Sequence, residues 1–204
     1  MSLIDSPYQF GIDFSAVPAI PEDRKARQPY LNSFRALLKE EREKIKLWHR
    51  AGAGGREVVQ AHTGLIDELI KRVVRSLADL PPYSGGSALE NFALAAVGGY
   101  GRGELNPHSD IDLLFILKNH VDDSTNPFIQ DFISILWGID LDVGHGCRRP
   151  MDCLNLAKED FTVQTAMIDM RLLIGNQLLF EELNQSLGKD VLTKNMEKFL
   201  SGKL

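Results

Sequence analysis

The sequence predicts an α+β fold, a small sheet flanked by helices, and three patterns lead there. Apolar residues recur at helical spacing along 33–49, 56–80 and 160–183. Two short apolar runs, 92–97 and 110–117, have the length of strands and are bounded by turn residues. Glycine and proline clusters at 52–55, 81–86 and 98–99 separate these stretches.

Each element can be justified in chain order. Residues 1 to 30 carry Pro7, Pro18, Pro21 and Pro29 without periodicity, which predicts an irregular arm, partly disordered or wrapped on the core. A helix is expected from Ser33 to His49, capped by Asn32, with Phe34, Leu37, Leu38, Ile45 and Trp48 near one face. A second helix from Arg56 to Leu80 carries the stripe Val59, Ile66, Leu69, Ile70, Val73 and Leu77. The basic residues of both helices read as solvated faces.

Strands at 92–97 and 110–117 follow, then a polar turn at 119–126, a helix at 128–136 and a third strand at 139–143. Val163, Ala166, Met167, Met170, Leu173 and Ile174 place one long helix over 160–183, and a last amphipathic helix is expected over 190–200. The chain divides on this reading into an arm and helical segment (1–86), a core (87–150) and a C-terminal helical segment (151–204).

Composition narrows the function. The 204 residues are 44% hydrophobic and 25% charged, ordinary for a globular chain. A formal net charge of −5 argues against nucleic acid as a partner, because such surfaces need clustered basic charge. Cys147 and Cys153 are too few for a zinc site and lack metal-motif spacing, so reduced thiols are expected. No apolar stretch approaches the roughly 18 residues of a membrane span, and the N-terminus lacks a signal-peptide pattern. A cytoplasmic location without membrane partners is the expectation.

The chemistry concentrates in Val97-Gly98-Gly99-Tyr100-Gly101-Arg102-Gly103-Glu104-Leu105-Asn106-Pro107-His108-Ser109-Asp110-Ile111-Asp112. Strand side chains alternate, so Asp110 and Asp112 project from one face. Mg²⁺ takes oxygen ligands and is usually held by one or two carboxylates plus substrate phosphates. Where two ions act together they lie about 3.5–4 Å apart, and carboxylates on either side of Ile111 suit such a pair. Gly98 and Gly99 let the backbone turn tightly towards phosphate oxygens, more so if a short helix starts near Tyr100. Arg102 is the nearest cation, and Ser109 could donate to a phosphate or orient Asp110. A glycine turn alone, or Asp-x-Asp alone, fits ordinary surface; the two in sequence after a buried strand point to a metal-dependent nucleotide site.

These residues resemble the signature of the nucleotidyltransferase superfamily that includes DNA polymerase beta. The string Gly98 to Leu114 is similar to that of the bacterial PII uridylyltransferase/uridylyl-removing enzymes. So are Arg50 to Val59, Asp140 to His145 and Asp160 to Ala166. The resemblance implies the nucleotidyltransferase fold with a mixed sheet, and transfer of UMP from UTP to a tyrosine hydroxyl of the PII signalling protein with Mg²⁺ or Mn²⁺. It assigns Asp110 and Asp112 to metal and Gly98, Gly99, Arg102 and Ser109 to the nucleotide. Asp142 becomes the third catalytic and metal-binding carboxylate, with Asp140 as competitor on the same strand face.

Gly146-Cys147 depart from the expected serine and aliphatic residue. The hydrolase and glutamine-sensing domains usual in that family have no counterpart here, so the sequence resembles a transferase portion or a stand-alone relative. Two other functions remain open. One is an adenylyltransferase of the glutamine-synthetase-modifying type, and the other is a nucleotide- or PII-binding fragment without activity. His145, Arg148, Arg149, Gln164 and Thr165 are secondary candidates, each as readily a loop or solvated residue. Glu104 is expected to pair with Arg102 or a backbone N–H, and Asn106 and His108 to serve turn chemistry.

Overall fold

A computed structural model describes residues 12–81, 83–84, 88–118 and 125–192. Two long helices come first, α1 (Gln28–Arg50) and α2 (Gly55–Ala78). Strand β1 (Phe92–Ala96), the single turn α3 (Gly98–Gly101) and strand β2 (Ile111–Leu117) follow. Next come α4 (Thr125–Gly138), β3 (Val143–Arg148), α5 (Pro150–Glu159), α6 (Phe161–Ile168), β4 (Arg171–Gly175) and α7 (Gln177–Ser186). A π-helical turn, Leu187–Leu192, ends the described chain; the helix expected at 190–200 lies mostly outside it.

The sheet is mixed, in the order β3-β2-β1-β4. β1 pairs antiparallel with both β2 and β4, whereas β2 and β3 run parallel and are joined through α4. All five residues of β1, Phe-Ala-Leu-Ala-Ala, are buried, as befits a central strand covered on both faces. Its two faces enter different cores. Phe92, Leu94 and Ala96 join Ile111, Leu113, Phe115 and Val143 under α1, α2 and α4. Ala93 and Ala95 join Leu114 and Ile116 beneath α5, α6 and α7. Phe115 sits between Phe92 and Phe132, with ring centroids 5.5 and 5.7 Å away.

Residues 12–27 wrap on this body without forming a layer. Val17 and Ile20 are buried, and Arg27 reaches Asp131 of α4 at 3.2 Å.

Three expectations need correction. Helix α1 starts at Gln28, not Ser33, with Pro29 in its first turn, where a missing N–H costs nothing; Asn32 lies inside the helix and accepts from Gln28. The third strand lies at 143–148, not 139–143. Ile139 and Leu141 are apolar because they plug the core from the turn after α4, and Asp140 between them is left-handed at φ +60°. β3 itself, Val-Gly-His-Gly-Cys-Arg, is an edge strand with one buried residue and so shows no apolar pattern.

The long helix over 160–183 is two short helices with β4 between them. Leu172, Leu173 and Ile174 fit either period. Gly175, at φ +107°, and Asn176, whose Oδ1 caps α7 through Leu179 N–H at 3.0 Å, mark the break.

Candidate active site

The glycine turn is α3, a single helical turn entered from β1. Gly98 adopts φ +59°, a left-handed conformation that side chains other than glycine rarely take. Gly101 is held by crowding: a Cβ there would lie 2.2 Å from the Asp169 carbonyl oxygen. Side chains from two other elements lock the turn. Tyr100 donates to Asp67 of α2 at 2.8 Å, and Arg171 of β4 grips the same carboxylate at 2.6 and 3.0 Å. Arg171 also donates to the carbonyls of Tyr100 and Gly101, both at 3.3 Å. Burial and the Asp67 charge push the Tyr100 phenol well above its usual pKa, so it serves as a neutral donor.

The loop after the turn is tied down by α2. The Thr63 hydroxyl shares its proton between the carbonyls of Val59 at 2.8 Å and Gly103 at 3.0 Å, and accepts from Leu105 N–H at 3.1 Å. His62 Nδ1 meets the Leu105 carbonyl at 3.2 Å, and because a carbonyl only accepts, Nδ1 carries the proton. His62 Nε2 is buried without a partner among the described residues, and burial lowers the imidazole pKa to about 4. This histidine is neutral and structural.

A cleft of about 740 Å³ opens between this loop, the turn and the start of α2. It is lined by Gly99, Arg102, Ser109, Asp110 and Asp112, and also by Gly55, Arg56 and Val59 of α2. Asp112 is partly desolvated, and burial first, then the Asp110 charge, raises its carboxyl pKa. The two carboxylates therefore repel, and among the described residues neither forms an ion pair. Room for Asp112 depends on Gly144 of β3: a Cβ there would stand 3.0 Å from Asp112 Oδ1. Gly98 is open to the same side chain, with Oδ2 4.0 Å from where its Cβ would be.

Arg102 donates to Glu104 at 2.9 Å and to Asp169 at 2.8 Å, while its Nη2 lies 3.7 Å from the Cβ position of Gly99. Ser109 is exposed, its N–H turned back to the Asn106 carbonyl at 3.1 Å.

Asp142 immediately precedes β3. Its carbonyl accepts from Ile111 N–H at 2.9 Å, and the register sets Gly144 opposite Asp112. Alternation from Gly144 puts Asp142 on the face of Asp110 and Asp112. Asp142 does not line the cleft, and among the described residues no three His, Cys, Asp or Glu side chains close around a common point for a metal. Asp140 leaves the competition: it stands in the turn and pairs with Arg35 at 3.1 Å.

The secondary candidates separate as well. His145 shares the face of Val143, its ring 6.3 Å from that of Trp137, away from the carboxylates. Arg148 lies opposite Ile116 at the far end of β2, and Arg149 binds Asp152 at 2.9 and 3.0 Å. Gln164 is buried within α6, and Thr165 donates to the Phe161 carbonyl at 2.8 Å. Sequence reasoning missed Gly55, Arg56 and Val59 as cleft residues. Their one signal was the likeness of Arg50–Val59 to a family segment.

A family model described as "Nucleotidyltransferase domain" matches residues 70–173, which span the end of α2, the glycine turn, Asp110, Asp112 and Asp142, and the sheet as far as β4. The chain belongs to the nucleotidyltransferase domain family. The mixed sheet between helical layers is the fold expected of it.

This nucleotidyltransferase domain is similar to curated proteins named "Bifunctional uridylyltransferase/uridylyl-removing enzyme". The one from Nitrosococcus oceani is 34% identical over 82% of this chain and 18% of its own length. That from Azospirillum brasilense is 35% identical over 88% and 19%, and that from Erythrobacter litoralis 30% over 93% and 21%. The domain thus spans about a fifth of these relatives. A solved toxin–antitoxin structure with AMP-PNP aligns over 67% of this chain and 90% of its own at 18% identity, with a TM-score of 0.37, too slight a likeness to bear on the site. Among the described residues no helix is long and apolar enough to cross a membrane.

Proposed function

We propose that this domain transfers UMP from UTP to a tyrosine hydroxyl of a PII signalling protein. The observation that carries the reading is the pairing of a glycine turn with two same-face carboxylates in one cleft, within a sequence similar to uridylyltransferases. The donor set suits a hard divalent cation: two carboxylates of like charge, one destabilised by the other, beside a glycine whose Cβ would intrude.

Asp110 and Asp112 would hold Mg²⁺ or Mn²⁺, with Asp142 as the third carboxylate; when bound, the ion neutralises phosphate charge. Gly98 and Gly99 bring the backbone close to the phosphates, and Ser109 and Nη2 of Arg102, which has no acceptor among the described residues, donate to them. In the transfer the phenolic oxygen bonds to the α-phosphorus, the bond to the bridging oxygen of the β-phosphate breaks, and pyrophosphate leaves. Asp142 takes the phenolic proton.

Incubation of the chain with labelled UTP, Mg²⁺ and PII tests this directly. Label should appear on PII, and Asp110→Asn or Asp112→Asn should remove it. Equal labelling by wild type and both variants would refute the assignment. Thermal melts with UTP, ATP, GTP and CTP test the base, since the preferred nucleotide raises stability by mass action.

A further inference from the structure

We propose that Arg56, in the first turn of α2, engages the polyphosphate tail of the nucleotide in the cleft it lines together with the glycine turn. This rests on the transferase reading above and adds a residue to it. The charges lining the cleft are Arg56, Arg102, Glu104, Asp110 and Asp112. Arg102 already touches two carboxylates, Glu104 and Asp169, so its charge is spoken for before a ligand arrives. A polyphosphate brings further negative charge into a cleft that already holds two aspartates, neither of them paired with a cation among the described residues. Arg56 is the lining cation that, among the described residues, contacts no anion.

Its position is fixed as well as free. The helix that carries it is the one that holds the loop through Thr63 and His62 and the glycine turn through Asp67. These bonds tie the backbone that carries Arg56 to the loop and the turn that share its cleft. The neighbouring Gly55 would meet nothing within 4 Å if it bore a Cβ, so the space beside Arg56 is open. A guanidinium there can present two parallel N–H groups to one phosphate, a geometry that lysine lacks.

The test is calorimetric titration of the full chain, in Mg²⁺, with UTP, inorganic tripolyphosphate and UMP. The proteins compared are wild type, Arg56→Ala, Arg56→Lys and Arg75→Ala. Arg75 is exposed on the same helix, about 28 Å further along at 1.5 Å per residue, and controls for the lost charge. Arg56→Ala should weaken UTP and tripolyphosphate on the order of 10- to 100-fold and UMP much less, with Arg56→Lys between and Arg75→Ala like wild type.

In turnover the KM for UTP should rise more than kcat falls. Melting should be unchanged, because Arg56 is exposed and forms no ion pair among the described residues. If wild type binds UTP and Arg56→Ala binds UTP and tripolyphosphate as tightly, or Arg75→Ala weakens them equally, the role of Arg56 is overturned while the transferase reading stands. If wild type binds no nucleoside triphosphate, both fall.

Discussion

Gly144→Ala perturbs the site while leaving every proposed catalytic side chain unsubstituted. The added methyl would stand 3.0 Å from Asp112 Oδ1, inside the 3.4 Å at which ordinary contact begins, so the carboxylate must retreat by a few tenths of an ångström. Catalytic constellations tolerate about 0.5 Å, and a misplacement of about 1 Å costs roughly 10²-fold. A loss of UMP transfer on the order of tenfold follows. Stability should barely move, since Gly144 is exposed and alanine in a strand is favoured over glycine by roughly 0.5–1 kcal/mol.

Gly146→Ala is the matched control. It lies on the same face of the same strand, but its Cβ would find Leu114 at an ordinary 3.7 Å. Initial rates of transfer from labelled UTP at saturating Mg²⁺, with melting temperatures alongside, separate the two. Unchanged transfer in Gly144→Ala, or equal losses in both variants, would refute the claim that Asp112 must occupy its present position.

Other perturbations give distinct readouts. Asp112→Asn should abolish transfer yet raise the melting temperature at neutral pH. Its carboxyl pKa is raised in the fold, so ionisation opposes folding above that pKa, and the gain should vanish on acidification as wild type becomes protonated. His62 acts in the opposite sense, costing stability as the pH is lowered. Its folded pKa of about 4 lies below the ordinary 6.5, so the unfolded chain binds the extra proton and stability falls between those values. Chemical denaturation of His62→Gln across that interval should show a shallower decline than wild type. Phe115→Ala should lose about 3–5 kcal/mol and lower the melting temperature by roughly 6–20 °C, because the ring is fully buried between Phe92 and Phe132.

Legibility in the sequence followed the reach of the interactions. β1 and β2 were readable because burial on both faces or one imposes an apolar run, and Asp110 and Asp112 because alternation is local. β3 and β4 were not, since a polar edge strand and a five-residue strand between two short helices leave no distinctive period. The placement of Asp142 beside β2 needed the parallel register, which no single segment encodes. Arg56 was hidden for a similar reason: on its own helix it is one more basic residue, and only the meeting of α2 with the 102–110 loop gives it a cleft to face.

The seam between Gly101 and Asp169 carries an implication for how the domain is built. Arg171 and Gly101 lie 70 positions apart, and the backbone beside them meets without room for a methyl. Long-range pairings of this kind are slow, because the intervening chain must close before any contact rewards it. The helical hairpin, by contrast, is local. In refolding from denaturant, far-ultraviolet ellipticity should recover first and nucleotide affinity last, when the edge strand finally clasps the bend.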